Sequence, residues 1–348
     1  MTSIKLTICI PTYNQPAQLF RLLDIISSEI NQFMLEGKVE VKIRDNSENN
    51  STYELFMASK YIDKSWIDYK KNSTNIGLDL NILNLYLESK SDYVWFVGGD
   101  DIIYKSSIQK ILHLIDLKPD ILLLPFQQPQ NLILPQYQKY PKIKYWNNKF
   151  DVIKLILKYI KITSFVYIRK DVNLNKEYLM NQFNNIGWMH LIIGLEVTNN
   201  LENINCISSS EFMAGSLDAE WKILNSTPMS YLLANKLISH EIFIQKKLKN
   251  LAIKFINRMY LGGINVTLSV QIGLLQSILN LNEFITFGQK YPVKLYLFCR
   301  PLYLLKLFII KLKLVRTFKS LILFLERLKQ KTYNNKQLTY KYINQIFN

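Results

Sequence analysis

The chain has 348 residues, 49% hydrophobic and 20% charged, a composition that excludes a disordered protein and is enough for one large core or two modest ones. Three cysteines (Cys9, Cys206, Cys299) without CxxC spacing, and three histidines (His113, His190, His240), exclude a disulfide framework, a zinc site and a His-rich metal centre. The net charge of +16 is one-ended: from Tyr291 to Asn348 twelve Lys and Arg face a single acid, Glu326, which points to a polyanionic surface as partner.

The N-terminal apolar run meets Pro11 too soon for a secretory signal. Leu6–Ile10, rich in β-branched residues, is a strand that Pro11 should stop. Pro11-Thr12-Tyr13-Asn14 is a loop. Leu19, Leu22, Leu23, Ile26 and Ile30 keep a helical period from Pro16 to Phe33, and Gly37 breaks it. Val39–Ile43 alternates as a second strand, with Asp45-Asn46-Ser47 just past its end. A helix over Thr52–Ile62, a short strand over Ile67–Lys70, a turn over Asn72–Gly77 and a helix over Asp79–Ser89 follow.

Tyr93-Val94-Trp95-Phe96-Val97 reads as a buried strand, running into Gly98-Gly99 and then Asp100-Asp101. Two adjacent carboxylates repel unless a cation neutralises them, and hard oxygen ligands suit Mg²⁺ or Mn²⁺ bridging to phosphates. The competing possibility is a solvated turn that caps the next helix. A helix over Ser106–Ile115 and a strand over Ile121–Pro125 complete a strand–helix alternation. It predicts an α/β fold with a doubly wound, mostly parallel sheet. Neither G-x-G-x-x-G nor a Walker A motif occurs. Residues 127–150 read as a loop with room for one edge strand. Thr163–Lys170 is a strand ending in two cations, Arg169 and Lys170. Ser208–Trp221 is loop-like, and from Met229 onward the pattern is helical.

Four motifs stand in one order: Ile10-Pro11-Thr12-Tyr13-Asn14, Asp45-Asn46-Ser47, Asn75-x-Gly77-x-Asp79-x-Asn81, and Trp95-Phe96-Val97-Gly98-Gly99-Asp100-Asp101. Together they resemble the family-2 glycosyltransferases of the glycosyltransferase-A fold, and within them the bacterial abequosyltransferase-like enzymes of O-antigen and capsule synthesis. The resemblance covers residues 4–125 well and 160–225 loosely. It implies a nucleotide-sugar donor. Pro11, Thr12, Tyr13 and Asn14 would line the nucleotide pocket, and Asp45, with Asn46 beside it, would hydrogen-bond the base. Asn75, Gly77, Asp79 and Asn81 would form the floor under nucleotide and sugar. Asp100 and Asp101 would hold Mn²⁺ or Mg²⁺, with Gly99 standing where many relatives carry a third acid. The family's acidic Glu-Asp pair is absent, and the equivalent stretch is Gly187-Trp188-Met189-His190.

A divalent ion on a leaving diphosphate acts as a Lewis acid, and cations add to that clamp; Arg169 and Lys170 are candidates. The acceptor hydroxyl needs a base. His190 is the first candidate, as base or as a third metal-site group, Glu196 the second, and Asp218 and Glu220 follow. Each has a plainer alternative: His190 as a satisfied core residue, Asp45 as a helix cap, Asn75 and Gly77 as a simple turn.

From Leu295 to Leu328, Leu, Ile and Phe alternate with Lys306, Lys311, Lys313, Arg316, Lys319 and Arg327, as in an interfacial amphipathic helix. A polyprenyl-phosphate-linked acceptor at an anionic leaflet would suit it. The expectation is therefore a catalytic domain over 1–225 (donor half 1–125, acceptor half 126–225) and a helical basic region over 226–348. It would work at the cytoplasmic face of the membrane, without a transmembrane helix and without a nucleic-acid partner. A nucleotidyltransferase and a non-catalytic sugar-nucleotide or glycan-binding module are the alternatives.

Overall fold

The computed structural model describes residues 4–127 and 142–216, apart from 160, 171 and 185. The basic region over 226–348, the boundary at 225, Asp218 and Glu220 lie outside the described residues.

The chain opens with strand β1 (Leu6–Thr12), helix α1 (Pro16–Gln32), β2 (Val39–Asp45), α2 (Ser51–Met57), β3 (Ile67–Lys71) and α3 (Leu78–Glu88). Next come β4 (Tyr93–Phe96), β5 (Asp101–Ile103), α4 (Ser107–Ile115), β6 (Ile121–Leu123) and β7 (Phe126–Gln127). After the undescribed 128–141 follow β8 (Ile143–Trp146), α5 (Lys149–Lys158) and a 3-10 turn over Ile162–Ser164. Last are β9 (Phe165–Ile168), α6 (Lys176–Phe183), α7 (Met189–Asn200), β10 (Cys206–Ser209) and β11 (Ala214–Ser216).

Eight strands form one sheet in the order β3-β2-β1-β4-β9-β6-β10-β8, and β5-β11-β7 form a second, small one. The expected parallel run holds through β3, β2, β1 and β4 and again between β6 and β10. It fails at β9, which is antiparallel to both β4 and β6, and at β8, antiparallel to β10. The large sheet is therefore mixed. A strand buried on both faces reads as an unbroken apolar run and carries no signal of its direction, so Phe165–Ile168 announces a strand but not which way it runs.

Pro11 does not stop β1. Val97 N–H donates to the Cys9 carbonyl at 2.9 Å. The next rung of a parallel ladder would need an N–H from residue 11, which proline lacks. Pairing with β4 thus ends at Cys9 while β1 continues along β2 to Thr12 opposite Asp45. Other boundaries shift as well. The helix expected to reach Ile62 ends at Met57, the sixth strand ends at Leu123, and the stretch from Ser208 read as loop holds the end of β10 and all of β11.

β1 is covered on both sides. Leu6, Ile8 and Ile10 pack with Leu19, Leu22, Leu23, Ile26 and Ile30 of α1 and with Ile108 and Ile111 of α4. Cys9 faces the other way, its Sγ 3.7 Å from the Leu85 carbonyl of α3. Each such buried Leu or Ile contributes about 1.5–3 kcal/mol. On that second face α3 packs against α7 and α7 against α5. Gly194 permits the close approach of α7 to β9, since a Cβ there would stand 2.8 Å from Tyr167 Cε1. Among the described residues no helix is long and apolar enough to cross a membrane.

Candidate functional site

The parallel strands β1, β2 and β4 end side by side, and their loops form one carboxyl edge, where open α/β sheets bind ligands. Asp45 ends β2 and is fully buried. Its Oδ1 accepts from the Ser47 amide at 2.8 Å and from the Ser47 hydroxyl; its Oδ2 accepts from the Tyr69 hydroxyl at 2.7 Å. Ser47 Oγ in turn accepts from the Asn14 amide at 2.8 Å. Asp45 thus ties the loop after β1, its own loop and β3 together, and its carboxylate is already engaged by three donors of the chain.

Asn46 does similar work one residue on. Its Oδ1 accepts from Asn72 Nδ2 at 2.7 Å and from the Ile76 amide at 3.3 Å, and its Nδ2 donates to the Gly77 carbonyl at 3.0 Å. Asn75 is exposed, its side chain accepting from the Gly77 amide at 3.0 Å in a local turn. Gly77 takes a left-handed φ of 80° ahead of α3. Asn81 Nδ2 donates to the Arg44 carbonyl at 2.9 Å. Asp79 is buried, with Oδ2 accepting from the Gly187 amide at 2.8 Å and Oδ1 from the Met189 amide at 3.0 Å. It anchors the start of α7. Burial raises its pKa, against the backbone hydrogen bonds that lower it.

Asp101 is not on a loose turn: it opens β5, which pairs with β11, and its amide donates to the Gly98 carbonyl at 3.0 Å. Arg21 Nη2 steadies the loop through the Asp100 carbonyl at 3.1 Å. A Cβ built on Gly98 would stand 2.9 Å from Asp101 Oδ2 and 3.1 Å from Asp100 Oδ1, so the two carboxylates converge over the glycine. Burial, and then the charge of Asp100, push Asp101 up to about 7. Beside this pair the Thr12 hydroxyl is buried with no partner among the described residues. It lies 3.7 Å from where a Cβ of Gly99 would be, as does the Pro11 carbonyl. Tyr13, next along, is 44% exposed.

These groups fit a divalent cation. Two converging carboxylate oxygens supply one side of a hard-ion site, and phosphate and water would supply the rest. No cluster of three or more metal-ligating side chains occurs among the described residues.

The antiparallel course of β9 decides which further groups reach this edge. Its start lies at the carboxyl end of β4 and its finish at the amino end, Trp95 pairing with Val166 and Tyr93 with Ile168. Thr163, just before β9, donates its hydroxyl to Asp101 Oδ2, accepts from the Gly98 amide at 3.1 Å, and is itself held by Trp95 Nε1 on its carbonyl at 3.0 Å. Lys161, two residues earlier, is close enough for its charge to lower the Asp101 pKa. Neither residue follows from the sequence pattern; a parallel β9 would put both at the far edge. By the same geometry Arg169 and Lys170 are removed from the carboxylate pair. Arg169 instead binds the Tyr86, Leu87 and Val172 carbonyls at 3.0, 3.3 and 3.0 Å, at the end of α3. Trp95 is a core residue, as its strand position implies.

His190 lies buried in the first turn of α7, its ring 5.9 Å from that of Trp188, directly after the amides that Asp79 holds. Glu196 stands six residues along, about 9 Å down the axis and about 120° round the helix from His190.

Residues 7–174 match the model of the glycosyl transferase family 2. That stretch, just under half of the chain, is similar to the family-2 glycosyltransferases. Over 118 residues it is 33% identical to the abequosyltransferase RfbV of Salmonella typhimurium, covering 34% of each chain; the match thus spans about a third of that curated relative. Its fold is similar to TarS of S. aureus, with a TM-score of 0.53 at 18% identity over 81% of this chain and 49% of that one. Against TarS 1–349 in complex with UDP-GlcNAc the TM-score is 0.52 at 18% identity, over 83% of this chain and 82% of that one. Likeness at that identity speaks to the fold: an α/β glycosyltransferase-A-type arrangement around the edge just described.

Proposed function

We propose that the protein transfers a sugar from a nucleotide-sugar donor to a glycan acceptor. The observation that carries this is the convergence of Asp100 and Asp101 over Gly98, beside Thr12 and Asp45, within the stretch similar to the family-2 glycosyltransferases. Asp100 and Asp101 would hold Mn²⁺ or Mg²⁺, which supplies Lewis-acid stabilisation to a leaving diphosphate. Thr163 ties down the Asp101 carboxylate through its Oδ2. The Asp45–Ser47–Tyr69 and Asn46–Asn72–Asn81 networks fix the loops that would enclose the nucleotide. His190 is our first candidate for the base that takes the acceptor proton, and Glu196 the second. Similarity to a protein named as an abequosyltransferase supports a growing bacterial surface polysaccharide as acceptor, O-antigen or capsule. The basic residues between Leu295 and Leu328 favour a lipid-linked form of it at the inner face of the membrane.

A thermal-shift screen of the full chain against UDP, CDP, GDP and dTDP, each with Mn²⁺ or EDTA, tests the donor site. Stabilisation by one nucleotide that grows with the metal supports it, and the matching sugar nucleotides are then assayed for turnover. A folded protein that responds to none of the four refutes it. Asp101→Ala should abolish turnover with the fold retained, which separates an enzyme from a binding module.

A further inference from the structure

We propose that Lys161 supplies the donor site with a cation of the protein's own, placed to contact the leaving diphosphate beside the divalent ion. This rests on the donor-site reading above and adds a residue to it.

Three placements converge. Lys161 immediately precedes the 3-10 turn Ile162–Ser164, whose Thr163 hydroxyl is bonded to Asp101 Oδ2, so its backbone is tied to the carboxylate pair. Its ammonium lies 5.3 Å from the centre of the Phe126 ring, within cation–π range. Phe126 belongs to β7, which is joined through β11 to β5, the strand that Asp101 opens. One small sheet therefore carries both the ring beside the lysine and the acid that Thr163 holds. Finally, Lys161 lies within electrostatic reach of both Asp101 and Asp100.

Charge gives this placement its meaning. With both acids ionised, two carboxylates and one ammonium leave the edge with a single negative charge. A third carboxylate, the pattern from which Gly99 departs, would make that two. With a divalent ion bound, the two-acid site becomes net positive and suits a diphosphate, without a third ligand to hold the metal tightly. A charge-assisted bond from an ammonium to phosphate is among the stronger polar contacts. The lysine would thus share the neutralisation of the leaving group with the metal.

The test uses the full chain, with Lys161→Met and Lys161→Gln as neutral variants and Lys161→Arg as the conservative one. Affinity for the nucleoside diphosphate found for the wild type is measured by calorimetry in Mn²⁺ and in EDTA, and that for the parent nucleoside by ligand-observed NMR. The neutral variants should bind the diphosphate about tenfold more weakly, with nucleoside binding unchanged, and the arginine variant should recover most of the loss. A loss under about threefold overturns the inference, as does an equal loss for nucleoside and diphosphate, which would mark a purely structural lysine. A folded wild type that binds none of the four diphosphates removes the donor site itself, and this inference with it.

Discussion

Gly98 and Gly99 are neighbours with opposite tolerances. At Gly98 a Cβ would press to 2.9 Å on Asp101 Oδ2, and that oxygen is not free to swing because Thr163 donates to it. At Gly99 the nearest atom would be Gln15 Oε1 at 3.5 Å, an ordinary contact. Neither glycine has a positive φ, so a substitution is judged by space alone. Gly98→Ala should therefore displace the carboxylate pair and reduce turnover by about 10²-fold, the scale expected when reacting groups are misplaced by about 1 Å. Gly99→Ala should stay within a few-fold of wild type. Initial rates with the donor identified by the nucleotide screen, together with melting curves for both variants, decide this. Equal rates for the two alanine variants would mean that the convergence over Gly98 has no part in the chemistry.

At the scale of elements, long-range caps hold the site together. Asp79, in the first turn of α3, accepts from the Gly187 and Met189 amides at the start of α7, donors that a helix leaves without internal partners. Glu29 of α1 does the same for α4, its carboxylate oxygens taking the Ser107 and Ile108 amides at 3.0 and 2.9 Å. Asp79→Ala would leave buried amides unsatisfied, at a cost of about 1–3 kcal/mol for each group. The melting temperature should fall by several degrees, given about 2–4 °C per kcal/mol in a domain of this size. Turnover should fall too, since His190 follows the anchored amides directly. A melting temperature within about 1 °C of wild type would show that Asp79 bears no structural load. Asp79 stands out in the sequence through its spacing in the Asn75–Asn81 motif, but its partners lie more than a hundred residues on and leave no local trace. Glu29 has no signal at all, being one acid on an otherwise apolar helix face. The strands that carry Thr12, Asp45 and Asp101 were legible because apolar runs bounded by loop residues mark strand ends. The direction of β9 was not, and with it went the contribution of Lys161 and Thr163 and the misassignment of Arg169 and Lys170.

For the whole molecule, assembling these loops on one edge buries acids, and stability must then depend on pH. Asp101 ionises at 3.8 in an unperturbed chain and is pushed to about 7 here, by burial and then by Asp100. The folded state holds this proton more tightly than the unfolded state. The resulting stabilisation is complete below about pH 4 and is lost as pH rises through about 7, up to roughly 4 kcal/mol in all. Asp79 and Glu29, both raised by burial, add to the same trend, so Asp101→Asn is the reference that isolates one group. In EDTA, the wild type should lose several degrees of melting temperature relative to Asp101→Asn between pH 5 and pH 8. Mn²⁺ competes with that proton for the carboxylate, so it should stabilise the wild type strongly at pH 8 and little at pH 5. It should leave Asp101→Asn nearly unmoved at both. Parallel melting curves for the two proteins, with an equal metal effect at either pH, would show that the carboxylate pair neither holds the proton nor receives the ion. The edge would then have to bind its ligand through the loop networks and Lys161 alone.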